Sequence, residues 1–417
     1  MSVLRINGGR PLAGRISVHG AKNSVLPILA ATLIHPGEMT IHNCPDLRDV
    51  RSAIKILTAL GAKIKREKDK IVVDAGTINC CNIADDLMRE MRSSVIFLGA
   101  MLSRCKSAVI SYPGGCELGP RPIDLHLSAL KKLGISITEE NGKIYCSVEN
   151  LSGADIHLPF PSVGATENIM IAAMFAKGRT RITNPAREPE IEDLQNFLCA
   201  MGGKITGAGG HVIEIEGVSK TFDCEHKVIP DRIVAATYLT AVAVSGGDVL
   251  IENVEPSQMN VMCEKLSRSG CLLYQGENYI RIIRKNPLYS MGEIKTEPYP
   301  GFPTDAQALF AVLATQCDGQ TVVRENIFEN RYQYVPELVK MGADIKTCGR
   351  VAVINGGKCL NGAAVKAPDL RGGAALIVAA LGAQGESIIS ELSHIDRGYE
   401  NIEGCLSSIG AQIVREV

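Results

Sequence analysis

The sequence predicts an α/β fold assembled from six related units of about 70 residues each, and three observations carry that expectation. A helix that ends in a Gly-centred turn and runs into a strand recurs as LTALGAKI, LKKLGISI, LCAMGGKI, LSRSGCLL, LVKMGADI and LSSIGAQI. An Ala-rich helix, apolar on most faces, precedes that segment in every unit. Short β-like runs such as GEMTIHNCP, GRTRITNPA, GDVLIENVE, GQTVVREN and GESIISEL follow the apolar helices. Each unit therefore reads helix, strand, helix, strand pair.

The turn glycines are Gly61, Gly134, Gly202, Gly270, Gly342 and Gly410. Each fits a left-handed position just past a helix C-terminus, where a side chain would clash. The apolar helices AKNSVLPILAATLI, MRSSVIFLGAMLSR, SVGATENIMIAAMFA, DRIVAATYLTAVAV, TDAQALFAVLATQ and LRGGAALIVAALGA suit close, buried packing. One unit is too small to bury much by itself, so several must pack together, and three plus three is the natural grouping. The stretch GVSKTFDCEHKVIP, residues 217–230, is the candidate crossing between the two groups.

Composition narrows the function. Lys+Arg (44) balances Asp+Glu (45), so no net charge draws the chain to nucleic acid or anionic lipid. Trp is absent and aromatics are 4%, which disfavours base stacking. The start, MSVLRINGGR, has no apolar run of signal-peptide length. IMIAAMFA and AALIVAALGA fall short of the roughly 20 residues a membrane span needs. The expectation is a soluble, cytoplasmic protein without nucleic-acid or membrane partners, and a monomer. The 14 cysteines include no C-x-x-C pair and read mostly as small core residues.

The repeat also locates chemistry. Lys22, Arg92, Ser162, Arg232, Asp305 and Arg371 open the apolar helices, and the second helices begin near Arg48, Arg121, Arg187, Arg331 and Arg397. Helix N-termini already carry free N–H groups and partial positive charge, so cations there are costly unless an anion sits among them. A single arginine would read as a surface residue paired with a nearby acid. A set recurring at equivalent positions predicts a polyanionic ligand.

One cysteine stands apart. In YPGGCELGPRPIDLH, Cys116 follows two glycines and precedes Arg121, with Pro122 at the first turn of a helix whose apolar positions are Ile123, Leu127, Leu130 and Leu133. PGG reads as a tight loop, and the nearby helix start and arginine would favour the thiolate. No cysteine-protease signature accompanies it, and His126 falls inside the helix. In FPTDAQALF, Thr304 is placed to cap a helix with Asp305 in its first turn. Asp305 reads either as a capping acid or as a carboxylate facing the anion site, able to accept a proton.

These residues bring a resemblance into view. GAKNSVLPILAA, MRSSVIFLGA, PGGCELGPRPIDLH, SVGATEN, NPAREPEI, PDRI, FPTDAQA, FENRYQYVPELVKMGA, DLRGGAAL and HIDRGYENIE resemble, from end to end, the enolpyruvyl transferases that act on UDP-N-acetylglucosamine. The resemblance implies a two-lobed inside-out α/β barrel-like fold, each lobe of three βαβαββ repeats around buried helices. One lobe would span residues 22–229, the other 1–21 plus 230–417. It implies transfer of enolpyruvyl from phosphoenolpyruvate to the sugar 3′-hydroxyl with release of phosphate, the first committed step of peptidoglycan precursor synthesis, without metal or cofactor.

Carried over residue by residue, Cys116 matches the general acid, also able to form an adduct with phosphoenolpyruvate, and Asp305 the base. Lys22, Arg121 and Arg397 match the phosphate ligands; Arg331, Arg371 and Arg397 lie near the carboxylate, and Asn23 bridges both substrates. Arg121, Pro122, Ile123, Asp124 and Leu125 match the uridine segment, and Ser162, Val163 and Gly164 the diphosphate site. Arg92, Thr304, Asp305 and Ile327 match further nucleotide-sugar contacts. Where many members carry Lys two residues before that Ser, this chain has Phe160, so a lysine contribution there does not transfer. A bound dianion is expected to offset the arginines and keep the Cys116 thiol protonated. The sister enzyme making enolpyruvylshikimate phosphate and a non-catalytic sugar-nucleotide sensor are the alternatives. The loop cysteine argues against the first, and retention of Lys22, Cys116, Asp305 and Arg397 against the second.

Overall fold

The structure, a computed structural model, describes residues 2–112 and 123–416. Cys116, Arg121 and Pro122 lie outside them. The chain divides into two compact units, exchanging between them at 19/20 and again at 229/230.

The first unit contains helices α1 (Lys22–Ala31), α2 (Arg48–Ala59), α3 (Asp85–Glu90), α4 (Phe97–Cys105), α5 (Asp124–Lys132), α6 (Val163–Ala173) and α7 (Pro189–Ala200). The second contains α8 (Arg232–Ser245), α9 (Asn260–Arg268), α10 (Gln307–Gln316), α11 (Val335–Lys340), α12 (Leu370–Gly382) and α13 (Ile402–Ser408). The Ala-rich helices are the cores. In the first unit α4 packs on both α1 and α6; in the second, α8, α10 and α12 pack on one another. Small residues let these backbones approach closely, and helices apolar all round have no solvent face. All six turn glycines take positive φ, from 90° at Gly134 to 106° at Gly61.

Each repeat closes a small sheet over its helices. In one, Asp155–His157 runs parallel to Arg179–Thr183, which pairs antiparallel with Val212–Glu216, itself antiparallel to Lys204–Thr206. The register aligns Ile156, Ile182 and Ile213, all buried, on the face toward the helices. Three sheets borrow a strand from far along the chain, and in one of them Val3–Asn7 pairs antiparallel with both Glu386–Ser390 and Gln412–Glu416. Leu12–Ser17 lies directly before α1 in sequence, yet it pairs parallel with Gly247–Glu252 of the second unit. The lead strand of the α1 repeat is instead Cys224–Lys227, parallel to Glu38–His42. The 217–230 stretch is thus part of a sheet for four of its residues rather than a plain connector.

Two of the buried acids in the first unit bear on its stability in opposite ways. Asp193 on α7 accepts hydrogen bonds from Ser24 Oγ on α1, from His226 Nε2 at 2.8 Å and from the Ile229 N–H at 3.2 Å. It ties the start of α1 and the last residues before the 229/230 exchange to α7. Glu167 on α6 is the opposite case. Burial, with Glu190 and Glu188 nearby, pushes its carboxyl well above the ordinary value, so it is held neutral.

Asp193→Ala leaves a hydroxyl, an imidazole and a backbone N–H buried without their acceptor, and is expected to cost about 3 kcal/mol, read as a lower urea midpoint at unchanged slope. For Glu167 the sign runs the other way. The unfolded chain releases this proton near pH 4.5 while the folded chain keeps it, so stability falls as pH rises above that value. Glu167→Gln should therefore raise Tm at pH 7, with the gain over wild type shrinking as pH is lowered toward 4.5; calorimetry at both pH values checks this.

Candidate active site

In the second unit the expected residues converge. Thr304 and Asp305 lie in a 3-10 turn, Thr304–Ala306, that leads into α10. Asp305 Oδ1 accepts from Arg331 Nη2 at 3.0 Å and Oδ2 from Arg371 Nη2 at 2.9 Å. Arg331 comes from the 3-10 turn before α11 and also donates through Nε and Nη2 to the Thr304 carbonyl, at 3.2 and 2.9 Å. Both guanidiniums are nearly buried, at 2% and 5% side-chain exposure, whereas Asp305 keeps 27%. The carboxylate is the one accessible face of a buried charge cluster.

Arg371 is fixed from below. Asp369 caps α12, its Oδ1 accepting the N–H groups of Arg371 and Gly372 at 2.8 and 3.0 Å. Burial pulls the Arg371 guanidinium toward losing its charge, but Asp305, Tyr399 and Asp231 outweigh it and its pKa is raised. Its Nη1 is buried without a hydrogen-bond partner among the described residues. Gly373 matters here: a Cβ would lie 2.7 Å from Ile395 Cγ1 and 2.8 Å from Ala367 Cβ. Its absence lets the turn Ile395–Arg397, which carries Arg397, lie against the first turns of α12.

One expectation is corrected. Thr304 does not cap the helix: Pro303 occupies that position with no side-chain cap, and the Thr304 hydroxyl donates to Glu325 at 3.0–3.1 Å. Glu325, fully buried, also accepts the N–H groups of Ile327 and Phe328 at 2.9 and 3.0 Å. It thereby locks the Ile327 segment to the Thr304–Asp305 turn. Sequence reasoning missed Glu325; an acid directly after the apolar strand Gln320–Arg324 was the available signal.

In the first unit Lys22 and Asn23 open α1. Lys22 Nζ donates to Asp49 Oδ2 on α2 at 3.0 Å, with side-chain exposures of 12% and 2%. Asp49 was also missed, since an acid in a helix's first turn reads as ordinary capping. Arg92 opens the 3-10 turn leading into α4, and Ile123, Asp124 and Leu125 form the start of α5. Ser162 caps α6, its Oγ accepting the Ala165 N–H at 3.4 Å, with Val163 and Gly164 as the first helical residues. Arg187 serves the loop before α7, donating to the Gly209 carbonyl at 2.9 Å. Arg232, at the start of α8 in the second unit, stacks on Tyr299 at 5.7 Å. The described cysteines are all free thiols: five are buried, six are partly exposed and two, Cys348 and Cys359, are exposed. No helix among the described residues is long and apolar enough to cross a membrane.

Chemically, each unit presents helix and 3-10 starts bearing cations, with a carboxylate held among them. Comparison with known proteins agrees. The family model described as EPSP synthase (3-phosphoshikimate 1-carboxyvinyltransferase) matches residues 6–406. UDP-N-acetylglucosamine 1-carboxyvinyltransferase 2 of Caldanaerobacter subterraneus subsp. tengcongensis is 52% identical over 100% of both chains. UDP-N-acetylglucosamine 1-carboxyvinyltransferase of Pseudoalteromonas atlantica is 44% identical, also over 100% of both. Among solved structures, the enolpyruvyl transferase NikO from Streptomyces tendae gives a TM-score of 0.90 at 24% identity, covering 99% of this chain and 98% of that one. EPSP synthase from Acinetobacter baumannii gives 0.76 at 19% identity over the whole of both. These two speak to fold alone. On the family match and the full-length identities together, the chain belongs to the UDP-N-acetylglucosamine 1-carboxyvinyltransferases, within the enolpyruvyl transferase family.

Proposed function

We propose that the protein transfers enolpyruvyl from phosphoenolpyruvate to the 3′-hydroxyl of UDP-N-acetylglucosamine, acting as a cytoplasmic monomer on these two small molecules. The observation that carries this reading is the Asp305 carboxylate suspended between Arg331 and Arg371. Paired guanidiniums of this kind suit a substrate carboxylate as well as they suit the Asp305 carboxylate. A carboxylate arriving on the same guanidiniums, with the idle Nη1 of Arg371 as an added donor, would release one Asp305 oxygen to accept a proton.

The steps balance with the residues assigned from the sequence. Asp305 takes the proton of the 3′-hydroxyl as its oxygen attacks C2 of phosphoenolpyruvate, and the Cys116 thiol delivers a proton to the C3 methylene. The product of addition is a tetrahedral ketal carrying the phosphate. The Cys116 thiolate left by the addition then takes back a proton from C3 as the C2–O bond to phosphate breaks. The Asp305 proton leaves with the phosphate, and the double bond of the transferred group is restored. Lys22, Arg121 and Arg397 hold the phosphate; Arg331, Arg371 and Arg397 hold the carboxylate, and Asn23 touches both substrates. Arg92, residues 121–125, Ser162–Gly164, Thr304 and Ile327 hold the nucleotide sugar. Each proton transfer is worth about 10²–10⁴ in rate. In this reading one lobe takes residues 22–229 and the other residues 1–21 plus 230–417.

Phosphate release measured with phosphoenolpyruvate and either UDP-N-acetylglucosamine or shikimate 3-phosphate tests the reading: turnover is expected only with the first, and turnover only with the second overturns it. In the same assay Cys116→Ala should lose at least about a hundredfold in kcat, while Cys116→Asp, still able to carry a proton, retains more. Arg371→Lys keeps the charge but loses the planar fork, so KM for phosphoenolpyruvate should rise about tenfold or more with KM for the nucleotide sugar little changed.

A further inference from the structure

We propose that His126 is a neutral hydrogen-bond donor to the anionic ligand at the N-terminus of α6, and that Asn168 sets the tautomer that makes it one. The inference rests on the reading that this helix end receives the diphosphate of the nucleotide sugar, and it names the side chain that reads it.

His126 lies on α5 and is 8% exposed. A Cβ built on Gly164, in the first turn of α6, would lie 2.9 Å from its Cε1 and 3.2 Å from its Nε2. The Nε2 edge of the ring thus packs against the first turn of α6, in the space that a side chain at 164 would fill. Nδ1, on the other edge, is 2.8 Å from Asn168 Nδ2. The orientation of that amide is decided by its other partners. Asn168 Oδ1 accepts the Gly99 N–H at 2.8 Å, and Nδ2 donates to the Val95 carbonyl at 2.9 Å. The group facing His126 is therefore the donor end of the amide, so Nδ1 must accept. An imidazole whose Nδ1 accepts carries its proton on Nε2. No partner for Nε2 occurs among the described residues.

The ring also resists charging. Burial and the nearby Arg92 push its pKa down to about 4, against an opposing contribution from Asp124. An imidazolium beside Arg92 would be repelled. A neutral N–H avoids that cost, and it stays a donor across the physiological pH range because neither its proton nor its tautomer changes. The free N–H groups of α6 supply the remaining donors.

The test uses the whole protein, with ¹⁵N-labelled histidine NMR and steady-state kinetics. The His126 ring should show the Nε2–H tautomer, unprotonated from pH 5.5 to 8, and its Nε2 signal should move on adding UDP-N-acetylglucosamine. His126→Leu should raise KM for UDP-N-acetylglucosamine about ten- to a hundredfold with KM for phosphoenolpyruvate unchanged, and His126→Gln, whose amide can replace the donor, should recover most of the loss. An Nδ1–H or protonated ring, or an Nε2 signal indifferent to a nucleotide sugar that the enzyme turns over, overturns the proposal; the spectra of the unmodified protein decide this even if a variant fails to fold. If wild type does not turn over UDP-N-acetylglucosamine, inorganic pyrophosphate is titrated instead. A shifted Nε2 signal then supports the donor role while the functional reading fails, and an unmoved one ends both.

Discussion

The constraint on which this structure depends is the burial of six helices with no solvent face. α8 and α12 are buried along almost their whole length, including Arg232 and Arg371 at their starts. A helix so enclosed can present polar groups only at its ends. At the N-terminal end four N–H groups lack partners and the backbone carries partial positive charge. Repeating one unit six times therefore generates a set of equivalent anion-seeking ends without any further device, and the chain decorates those ends differently: Lys22 and Asn23 on α1, Ser162 and Gly164 on α6, Arg371 on α12, and Asp305 in the turn before α10.

That origin explains what could be read from residues alone. The repeat was legible because its marker, a glycine in positive φ after each second helix, is a local requirement that only glycine meets without strain. The cation positions were legible because they share the period. Cys116 stood out through its neighbours in sequence. What could not be read depends on partners distant along the chain. Cys224–Lys227 takes its place beside Glu38–His42, and Leu12–Ser17 beside Gly247–Glu252, through pairings that no local pattern announces. Thr304 matched a capping pattern, but a buried Glu325 from the next strand competes for its hydroxyl and wins. His126 gave no signal beyond its place inside a helix, because the Asn168 amide and the Gly164 backbone that flank its ring are contributed by another helix.

The carboxylates follow from the same constraint. A buried guanidinium or ammonium is tolerated only when paired, since its desolvation otherwise costs several kcal/mol. Lys22 is paired with Asp49, and Arg331 and Arg371 with Asp305. Asp49 is fully buried within its own helix turn and serves as a fixed counter-charge. Asp305 differs, being more than a quarter exposed while its two partners are almost enclosed. It is the member of the cluster that can be reached and displaced.

Displacement would give Asp305 two successive roles that a single fixed partner could not fill. Without ligand it neutralises two arginines that would otherwise be isolated in a low-dielectric setting. If a substrate carboxylate took over those guanidiniums, as proposed above, the charge balance would be kept and an Asp305 oxygen would become available to accept a proton. The base would be freed by the arrival of one substrate, which orders the chemistry: proton abstraction from the acceptor becomes possible only once the three-carbon donor is in place. Exchange of one carboxylate for another is favoured by the contacts the rest of the ligand gains and by the water that Asp305, more than a quarter exposed, regains.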